Sequence, residues 1–129
     1  MTTPHELARE RYVNLATFKR SGDAVETPIW FASDPQDPRK LWMYTNGTSW
    51  KVKRIRNNGR ARVAACNVRG RVHGPWQEAR ARIETDARGM QRAFDLLIEK
   101  YGWQARLLLI GARLGNTWKD RTVLEVTLA

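Results

Sequence analysis

The segment YVNLATF, residues 12–18, alternates with period two, which is the pattern of a half-buried β-strand. A turn, KRSGD, follows at residues 19–23, and residues 24–32 read as a second strand, so the pair predicts a β-hairpin. Pro28 lies inside the second strand. Because proline cannot donate to a strand ladder, we expect this strand at a sheet edge or at a bulge.

The remaining chain adds short strands and a few helices to this hairpin. Thr3, Pro4 and Glu6 form a capping-box pattern and predict a short first helix that ends near Arg11. Further strands are expected over residues 40–45, 60–67, 72–84 (one long or two short) and 121–128, and helices over 49–57, 87–101 after an Asp86 N-cap, and 103–114 before Gly115. This order predicts a single α+β domain over residues 1–129, mainly antiparallel β and barrel-like.

The composition is that of a globular protein. Of the 129 residues, 42% are hydrophobic and 28% are charged, and the single cysteine, Cys66, fits a reducing compartment. The longest apolar run, residues 107–112, is too short to span a bilayer, and the charged N-terminal segment lacks the apolar region of a secretory signal. These features predict a cytoplasmic protein. Its two histidines and one cysteine are too widely spaced for a metal site.

The net charge of +10 is concentrated in one third of the chain. Between Pro38 and Gln77 there is no Asp or Glu, and ten basic residues occur. They are Arg39, Lys40, Lys51, Lys53, Arg54, Arg56, Arg60, Arg62, Arg69 and Arg71. Because the field is localised, it indicates an anionic partner at a particular place.

A candidate phosphate site lies inside this window, in the stretch from Thr45 to Arg54. Thr48 and Ser49 offer hydroxyls where the short helix begins, and Lys51 and Arg54 are three residues apart, on one helical face. A solvated basic helix with a serine cap is the alternative. The absence of acids favours the phosphate site, because ordinary surface helices mix both signs of charge.

Two further segments offer weaker signals. In the stretch Thr27-Pro28-Ile29-Trp30-Phe31, one strand face could meet a planar ring while the other packs the core, and core packing alone is the alternative. His73 has no carboxylate or nucleophile partner in sequence, and Cys66 reads as a small buried apolar residue. Since no catalytic constellation is visible, any reactive group is expected to come from a cofactor.

The order of these segments resembles the pyridoxamine-5′-phosphate-oxidase-like split β-barrels, and within them the actinobacterial branch that uses the deazaflavin coenzyme F420. The resemblance runs from Tyr12 to Leu128 and is carried by residues 12–18, Gly22, 27–31, Tyr44-Thr45, Ser49, 51–54 and 74–76. It implies a homodimer with two cofactor sites at the subunit interface. A small barrel agrees with this, because its interior is filled by side chains.

The resemblance also implies a set of cofactor-binding residues. Ser49 and Lys51 would hold the cofactor phosphate, with Thr45, Lys53 and Arg54 close by. Thr27, Pro28 and Trp30 would line the ring. The oxidases that use FMN typically have an arginine at the start of the second-strand motif and a basic pair directly after the serine. This chain has Thr27-Pro28 and Ser49-Trp50 there, which favours F420 over FMN.

The function implied is an F420-dependent oxidoreductase that transfers a hydride between the coenzyme and an unsaturated organic substrate. The acidic oligoglutamate tail of F420 would meet Arg56, Arg60 or other basic residues, and Tyr44, His73 or solvent would supply a proton. Three alternatives stay open: an FMN-binding oxidoreductase of the same superfamily, a non-catalytic flavin- or deazaflavin-binding protein, and a nucleic-acid-binding protein, for which no motif is visible.

Overall fold

A computed structural model describes residues 3–46, 49–107 and 121–129. In chain order the elements are α1 (Pro4–Ala8), β1 (Tyr12–Phe18), β2 (Ala24–Ile29), β3 (Ala32–Asp34), β4 (Asp37–Asn46), α2 (Trp50–Asn57), β5 (Arg60–Cys66), β6 (Gln77–Glu84), α3 (Ala87–Tyr101) and β7 (Arg121–Leu128). Residues 103–107 are also helical. The predicted α+β class with mainly antiparallel strands is confirmed.

Local capping signals place the helix ends. The Thr3 hydroxyl accepts a hydrogen bond from the Glu6 N–H at 3.1 Å, and the Asp86 side chain accepts from the Arg88 N–H at 3.0 Å. Gly102 ends α3 with a φ of 65°, a conformation that favours glycine. These caps confirm the two predicted helix starts and the end of α3.

Several predicted boundaries are wrong. Helix α1 ends at Ala8 and not near Arg11, and the predicted strand over residues 24–32 is two strands, β2 and β3. Of the stretch 72–84, only β6 is a strand, while Val72 forms an isolated bridge with Cys66. The part of the predicted fourth helix beyond residue 107, with Gly115, lies outside the described residues.

All seven strands form one antiparallel sheet in the order β2-β1-β5-β6-β7-β4-β3. The outermost strands, β2 and β3, are separated in sequence by only Trp30 and Phe31. The two edges of the sheet must therefore meet, which curls the sheet into a barrel. Pro28 lies on the edge strand β2, as its missing N–H predicts.

The barrel stays open along one seam. Strand β3 pairs with β4, Ala32 lying opposite Trp42, whereas β2 pairs with β1. If the β3–β4 register continued, Trp30 would lie level with Tyr44 and Pro28 level with Asn46. Within the described residues no such pairs join β2 to β4. We call this unpaired seam, between residues 28–30 and 44–46, the split.

Apolar side chains fill the barrel and α2 covers one end of it. The interior cluster is made of Leu7, Val13, Leu15, Ile29, Phe31, Leu41, Met43, Ile55, Ala61, Val63, Ala65, Ala79, Ala81, Leu124, Val126 and Leu128. On α2, Val52 and Ile55 are buried, which turns the charged side chains of the helix toward the rim of the barrel.

Helix α3 packs against β3 and β4 on the outside of the barrel, and its buried residues include Phe94, Leu97 and Tyr101. Within the described residues, no helix has the length and apolar character needed to cross a membrane.

Candidate functional site

An apolar cavity of about 240 Å³ opens at the split. The described residues that line it are Tyr12, Pro28, Ile29, Trp30, Tyr44, Leu97 and Ala105. Both lips of the split contribute, since Pro28 and Trp30 come from the β2 side and Tyr44 comes from β4. None of these lining residues is charged, so the cavity suits a flat apolar ligand.

Tyr101 holds Trp30 in place at this cavity. The two rings stack with centroids 4.3 Å apart and an interplanar angle of 6°. The Tyr101 hydroxyl accepts from the Phe31 N–H at 3.1 Å and lies 2.7 Å from the Arg11 carbonyl, to which it donates. Burial raises the pKa of Tyr101 to about 12, so the phenol stays protonated and keeps this arrangement.

Two cations of α2 reach the rim of the barrel. Lys51 Nζ donates to the Thr45 hydroxyl at 3.1 Å, and Arg54 Nε donates to the Thr17 hydroxyl at 2.9 Å. Thr45 lies on β4 next to Tyr44, and Thr17 lies near the end of β1. The helix therefore ties one lip of the split to the strand that pairs with the other lip.

Neutral hydroxyls are the hydrogen-bond partners of this cation pair. Burial, together with the nearby Arg54 charge, lowers the pKa of Lys51. None of the ion pairs among the described residues involves Lys51, Lys53 or Arg54. A bound anion would offset both the desolvation cost of the buried ammonium group and its repulsion from Arg54.

Ser49 supplies an unused polar group at the same place. It is the N-cap of α2, yet its side chain makes no capping hydrogen bond. Its Oγ is buried and has no hydrogen-bond partner among the described residues. A buried hydroxyl without a partner is costly, so this atom at the positive end of a helix fits a phosphate oxygen. Thr48 and Gly47, also in the predicted phosphate stretch, lie outside the described residues.

A second, cationic cavity of about 610 Å³ lies beside α2. It is lined by Lys19, Arg20, Trp50, Lys53, Arg54 and Asn57. Trp50 is 69% exposed, and Lys53 Nζ lies 4.4 Å from the centre of its ring. Lys19 and Arg20 belong to the β1–β2 turn, and sequence reasoning missed them because nothing local links that turn to α2.

The predicted site residues thus fall around the split and α2. Pro28 and Trp30 line the apolar cavity, Thr45 contacts Lys51, and Lys53 and Arg54 line the cationic cavity. Thr27 is half-buried opposite Leu15, and by strand alternation its side chain points away from the face of Pro28. The structure also adds Tyr12, Leu97 and Ala105 to the cavity, which no motif indicated.

Part of the basic window is neutralised by acids from elsewhere in the sequence. Arg60 and Arg62 both contact the Glu78 carboxylate on β6, Arg60 at 3.2 Å. Arg39 pairs with Asp37, and Lys40 with Glu125. Arg60 is therefore a structural partner of Glu78 and a poor candidate for a cofactor tail. The charges of the window without an ion pair among the described residues lie on α2 and in the loop of residues 67–71.

The other candidate reactive groups are poorly suited to catalysis. His73 is exposed, and its Nε2 lies 3.6 Å from a Glu10 carboxylate oxygen. Cys66 is buried, which confirms its assignment as a core residue, and burial raises the pKa of its thiol. Within the described residues no group of His, Cys, Asp and Glu could hold a metal ion. The arrangement thus places an apolar cavity beside cations and a buried hydroxyl, the features that a ring and an anion would need.

A split β-barrel with this site defines a class of proteins. The chain belongs to the pyridoxamine 5′-phosphate oxidase family, whose sequence pattern matches residues 5–129. The predicted split-barrel fold is confirmed. No curated protein sequence matches the chain significantly.

Solved structures with the same fold differ in what they bind. A conserved hypothetical protein of Mycobacterium tuberculosis has a TM-score of 0.71 at 17% identity, over 97% of this chain and 77% of its own. The haem storage protein HutZ of Vibrio cholerae has a TM-score of 0.70 at 13% identity, over 97% and 87%. An FAD-binding protein of Mesorhizobium loti has a TM-score of 0.60 at 16% identity, over 95% and 84%.

Proposed function

We propose that the protein is an oxidoreductase that binds a flavin-like cofactor at the split, and that coenzyme F420 is this cofactor. The observation that carries the proposal is the buried Ser49 hydroxyl, which has no partner among the described residues and lies two residues from Lys51. Together with Arg54, these groups form an anion site beside an apolar cavity, which is the combination that a phosphate-bearing planar cofactor needs.

The cationic cavity favours F420 over FMN. FMN ends at a single phosphate, whereas F420 continues into an acidic oligoglutamate tail. Lys19, Arg20 and Lys53 line a cavity together with Arg54, where carboxylates of such a tail would find charge-assisted partners. The chain also departs from the pattern of the FMN oxidases at Thr27-Pro28 and Ser49-Trp50, which likewise favours F420.

In this proposal, the chain's residues bind and shield. Ser49, Lys51 and Arg54 hold the phosphate, while Pro28 and Trp30 contact the ring and, with the rest of the apolar cavity, exclude water. When bound, reduced F420 supplies a hydride to an unsaturated acceptor, which also needs one proton. Tyr44 lies in the cavity lining and is the candidate donor, ahead of His73, which is exposed and beside Glu10.

We further propose that the protein is a homodimer whose subunit interface completes the two cofactor sites. The split is an open edge on the β2 side, and a cavity of about 240 Å³ is small for a tricyclic ring. A second copy placed against this edge would enlarge the enclosed space. Analytical ultracentrifugation with and without the cofactor tests this point, and a monomer in both conditions would contradict it.

Two rival functions follow from the related structures. The FAD-binding relative supports an FMN or FAD site in this chain, and the haem storage relative supports a binding protein without turnover. Fluorescence titration of F420 and FMN in separate experiments distinguishes the cofactors. Oxidation of reduced F420 by quinone or nitroaromatic acceptors, followed by absorbance, then distinguishes an enzyme from a binding protein.

The site assignment is tested with two variants and a control. We expect Lys51→Ala and Arg54→Ala each to weaken F420 binding by roughly 1.5–3 kcal/mol, because each removes a charge-assisted contact to phosphate. Lys40→Ala is the control, since Lys40 pairs with Glu125 and touches neither cavity. A wild-type dissociation constant for F420 weaker than about 1 mM, or about 4 kcal/mol of binding, would refute the proposal.

A further inference from the structure

Arg69 and Arg71 belong to the acid-free window, and the proposed cofactor site does not use them. Both are exposed, and the ion pairs among the described residues include neither. They flank Gly70 in the loop of residues 67–71, which connects β5 to the bridge at Val72. Where this loop lies decides what the two arginines can reach.

The loop packs directly on the split. A methyl group added at Gly70 would lie 3.4 Å from Pro28 Cδ, so the backbone here is in close contact with a residue that lines the apolar cavity. The Asn14 side chain, 4% exposed, donates to the Gly70 carbonyl at 2.9 Å. Asn14 pairs with Pro28 across β1 and β2. Gly70 is thereby fixed at the β2 lip.

The loop is also internally ordered. The Asn67 Oδ1 accepts from the backbone N–H groups of both Arg69 and Arg71, at 2.9 Å each. Gly70 has a φ of 87°, which favours glycine, and its N–H donates to the Asn67 carbonyl at 2.9 Å. A turn closed by three hydrogen bonds holds two guanidinium-bearing residues next to the cavity mouth, instead of leaving them on a free loop.

We propose that Arg69 and Arg71 select an acceptor that carries an anionic oxygen group, a carboxylate or a phosphate, beside the apolar part that enters the split. The inference rests on the proposed cofactor site, because the acceptor shares the cavity with the ring. The described residues that line the cavity carry no charge, so they offer no cation to pair with an anionic group. Arginine binds both groups through paired N–H donors.

Three probes that share a nitrophenyl ring test this selection: 4-nitrobenzoate, 4-nitrophenyl phosphate and the neutral 4-nitrobenzamide. Their binding to the full chain is measured by equilibrium dialysis, with and without saturating F420. We expect at least one anionic probe to bind about 10-fold tighter than the amide, the effect of one charge-assisted contact. The tighter of the two anions identifies the group. Equal affinities for all three probes would overturn the proposal.

Three variants test which residues produce the preference for an anionic probe. In the Arg69→Gln/Arg71→Gln protein the 10-fold preference should disappear while amide binding is unchanged. The Arg80→Gln/Arg88→Gln protein removes the same charge at exposed sites outside both cavities and should keep the preference. Gly70→Ala retains both arginines but strains the turn against Pro28, and the preference should fall part of the way. A preference that survives in the Arg69→Gln/Arg71→Gln protein would overturn the proposal.

The same experiment separates this inference from the proposed function. F420 should bind the Arg69→Gln/Arg71→Gln protein as tightly as wild type, because neither arginine contacts the phosphate site. If F420 does not bind wild type but the anion preference is present and depends on these arginines, the cofactor assignment fails and the anion-selecting loop stands. If F420 binds and no preference exists, the loop assignment fails alone.

Discussion

Arg92 and Arg54 both reach from a helix to an oxygen at the sheet, and the two oxygens differ. Arg92 on α3 makes two hydrogen bonds, at 2.7 and 3.1 Å, to the Asp34 carboxylate, which also accepts from Trp42 Nε1 at 3.2 Å. Arg54 on α2 donates to the neutral Thr17 hydroxyl. The charge of Arg92 is neutralised within the fold, and it anchors α3. The charge of Arg54 has no carboxylate partner among the described residues, and in the proposed function it meets the cofactor phosphate.

The difference shows how a basic protein separates stability from binding. At β3, the hydrogen bonds from Arg92 hold the pKa of Asp34 well below its ordinary value, although burial acts to raise it. On α2, burial lowers the pKa of Lys51 instead, since no carboxylate compensates it. An anion should therefore stabilise the α2 region, while the Asp34 region should be indifferent to it.

The largest expected effect comes from breaking the paired region. Asp34→Asn should lower the free energy of unfolding by about 2 kcal/mol, because it leaves Arg92 without its carboxylate. The Asp34 pKa is depressed in the folded state, so this stabilisation is present above its unfolded pKa of 3.8 and is lost as the pH falls below it.

Urea unfolding at pH 7 and pH 3 measures this effect. The difference in the free energy of unfolding between wild type and Asp34→Asn should be smaller at pH 3 than at pH 7. Asp37→Asn is the matched control, since Asp37 is the first residue of the neighbouring strand β4 and its pair with Arg39 is exposed. A gap that is the same at both pH values would show that the Asp34 charge is not what matters.

Lys100 is an intermediate case, a cation that lies against aromatic rings. Its ammonium lies 3.5 Å from the centre of the Phe31 ring and has no hydrogen-bond partner among the described residues. Burial lowers its pKa from 10.5 to about 8, so the folded state binds fewer protons between these values. Wild-type stability should therefore rise with pH across this window.

Lys100→Met should reduce the increase in the free energy of unfolding between these pH values by about 1 kcal/mol. This figure allows for the partial exposure of the Lys100 ammonium group. Unfolding by urea at pH 7.5 and pH 10 compares the two proteins. Lys53→Met serves as the control, because Lys53 contacts the exposed face of Trp50. An equal rise in both proteins would mean that Lys100 is not the titrating group.

The smallest effect is expected at the unpaired arginine. Arg54→Gln should change the free energy of unfolding by less than about 1 kcal/mol, since it removes one hydrogen bond to a neutral hydroxyl and also a charge that repels Lys51. The free energies of unfolding of Arg54→Gln and Asp34→Asn, measured in the same buffer, compare the arginine without a carboxylate partner directly with the paired one. A loss as large as that of Asp34→Asn would show that Arg54 is as structural as Arg92.

Much of the fold followed from local patterns. The strands β1, β5 and β7 and the helices α2 and α3 were predictable because alternation, helical spacing and caps at Thr3 and Asp86 act over a few residues. The break of residues 24–32 into β2 and β3 was not predictable. It arises because Trp30 and Phe31 carry the chain from one edge of the sheet to the other, which is a property of the closed sheet.

The candidate site was predictable in its residue types but not in its layout. Lys51 and Arg54 could be placed on one helical face from their spacing alone. Their threonine partners, at Thr45 and Thr17, and the contribution of Lys19 and Arg20 depend on where α2 packs. The contact of Gly70 with Pro28 likewise joins residues 42 positions apart in the sequence.

The sequence by itself determined that the protein is an antiparallel α+β domain with its excess charge between residues 38 and 77, because local periodicity and composition carry that information. Only the tertiary structure decided which of those charges remain uncompensated. Glu78 on β6 neutralises Arg60 and Arg62, whereas Lys51 and Arg54 on α2 donate to threonine hydroxyls, and the unpaired seam leaves an apolar cavity beside the helix. Ion pairing and strand pairing act across long sequence separations, so they are settled only when the sheet closes.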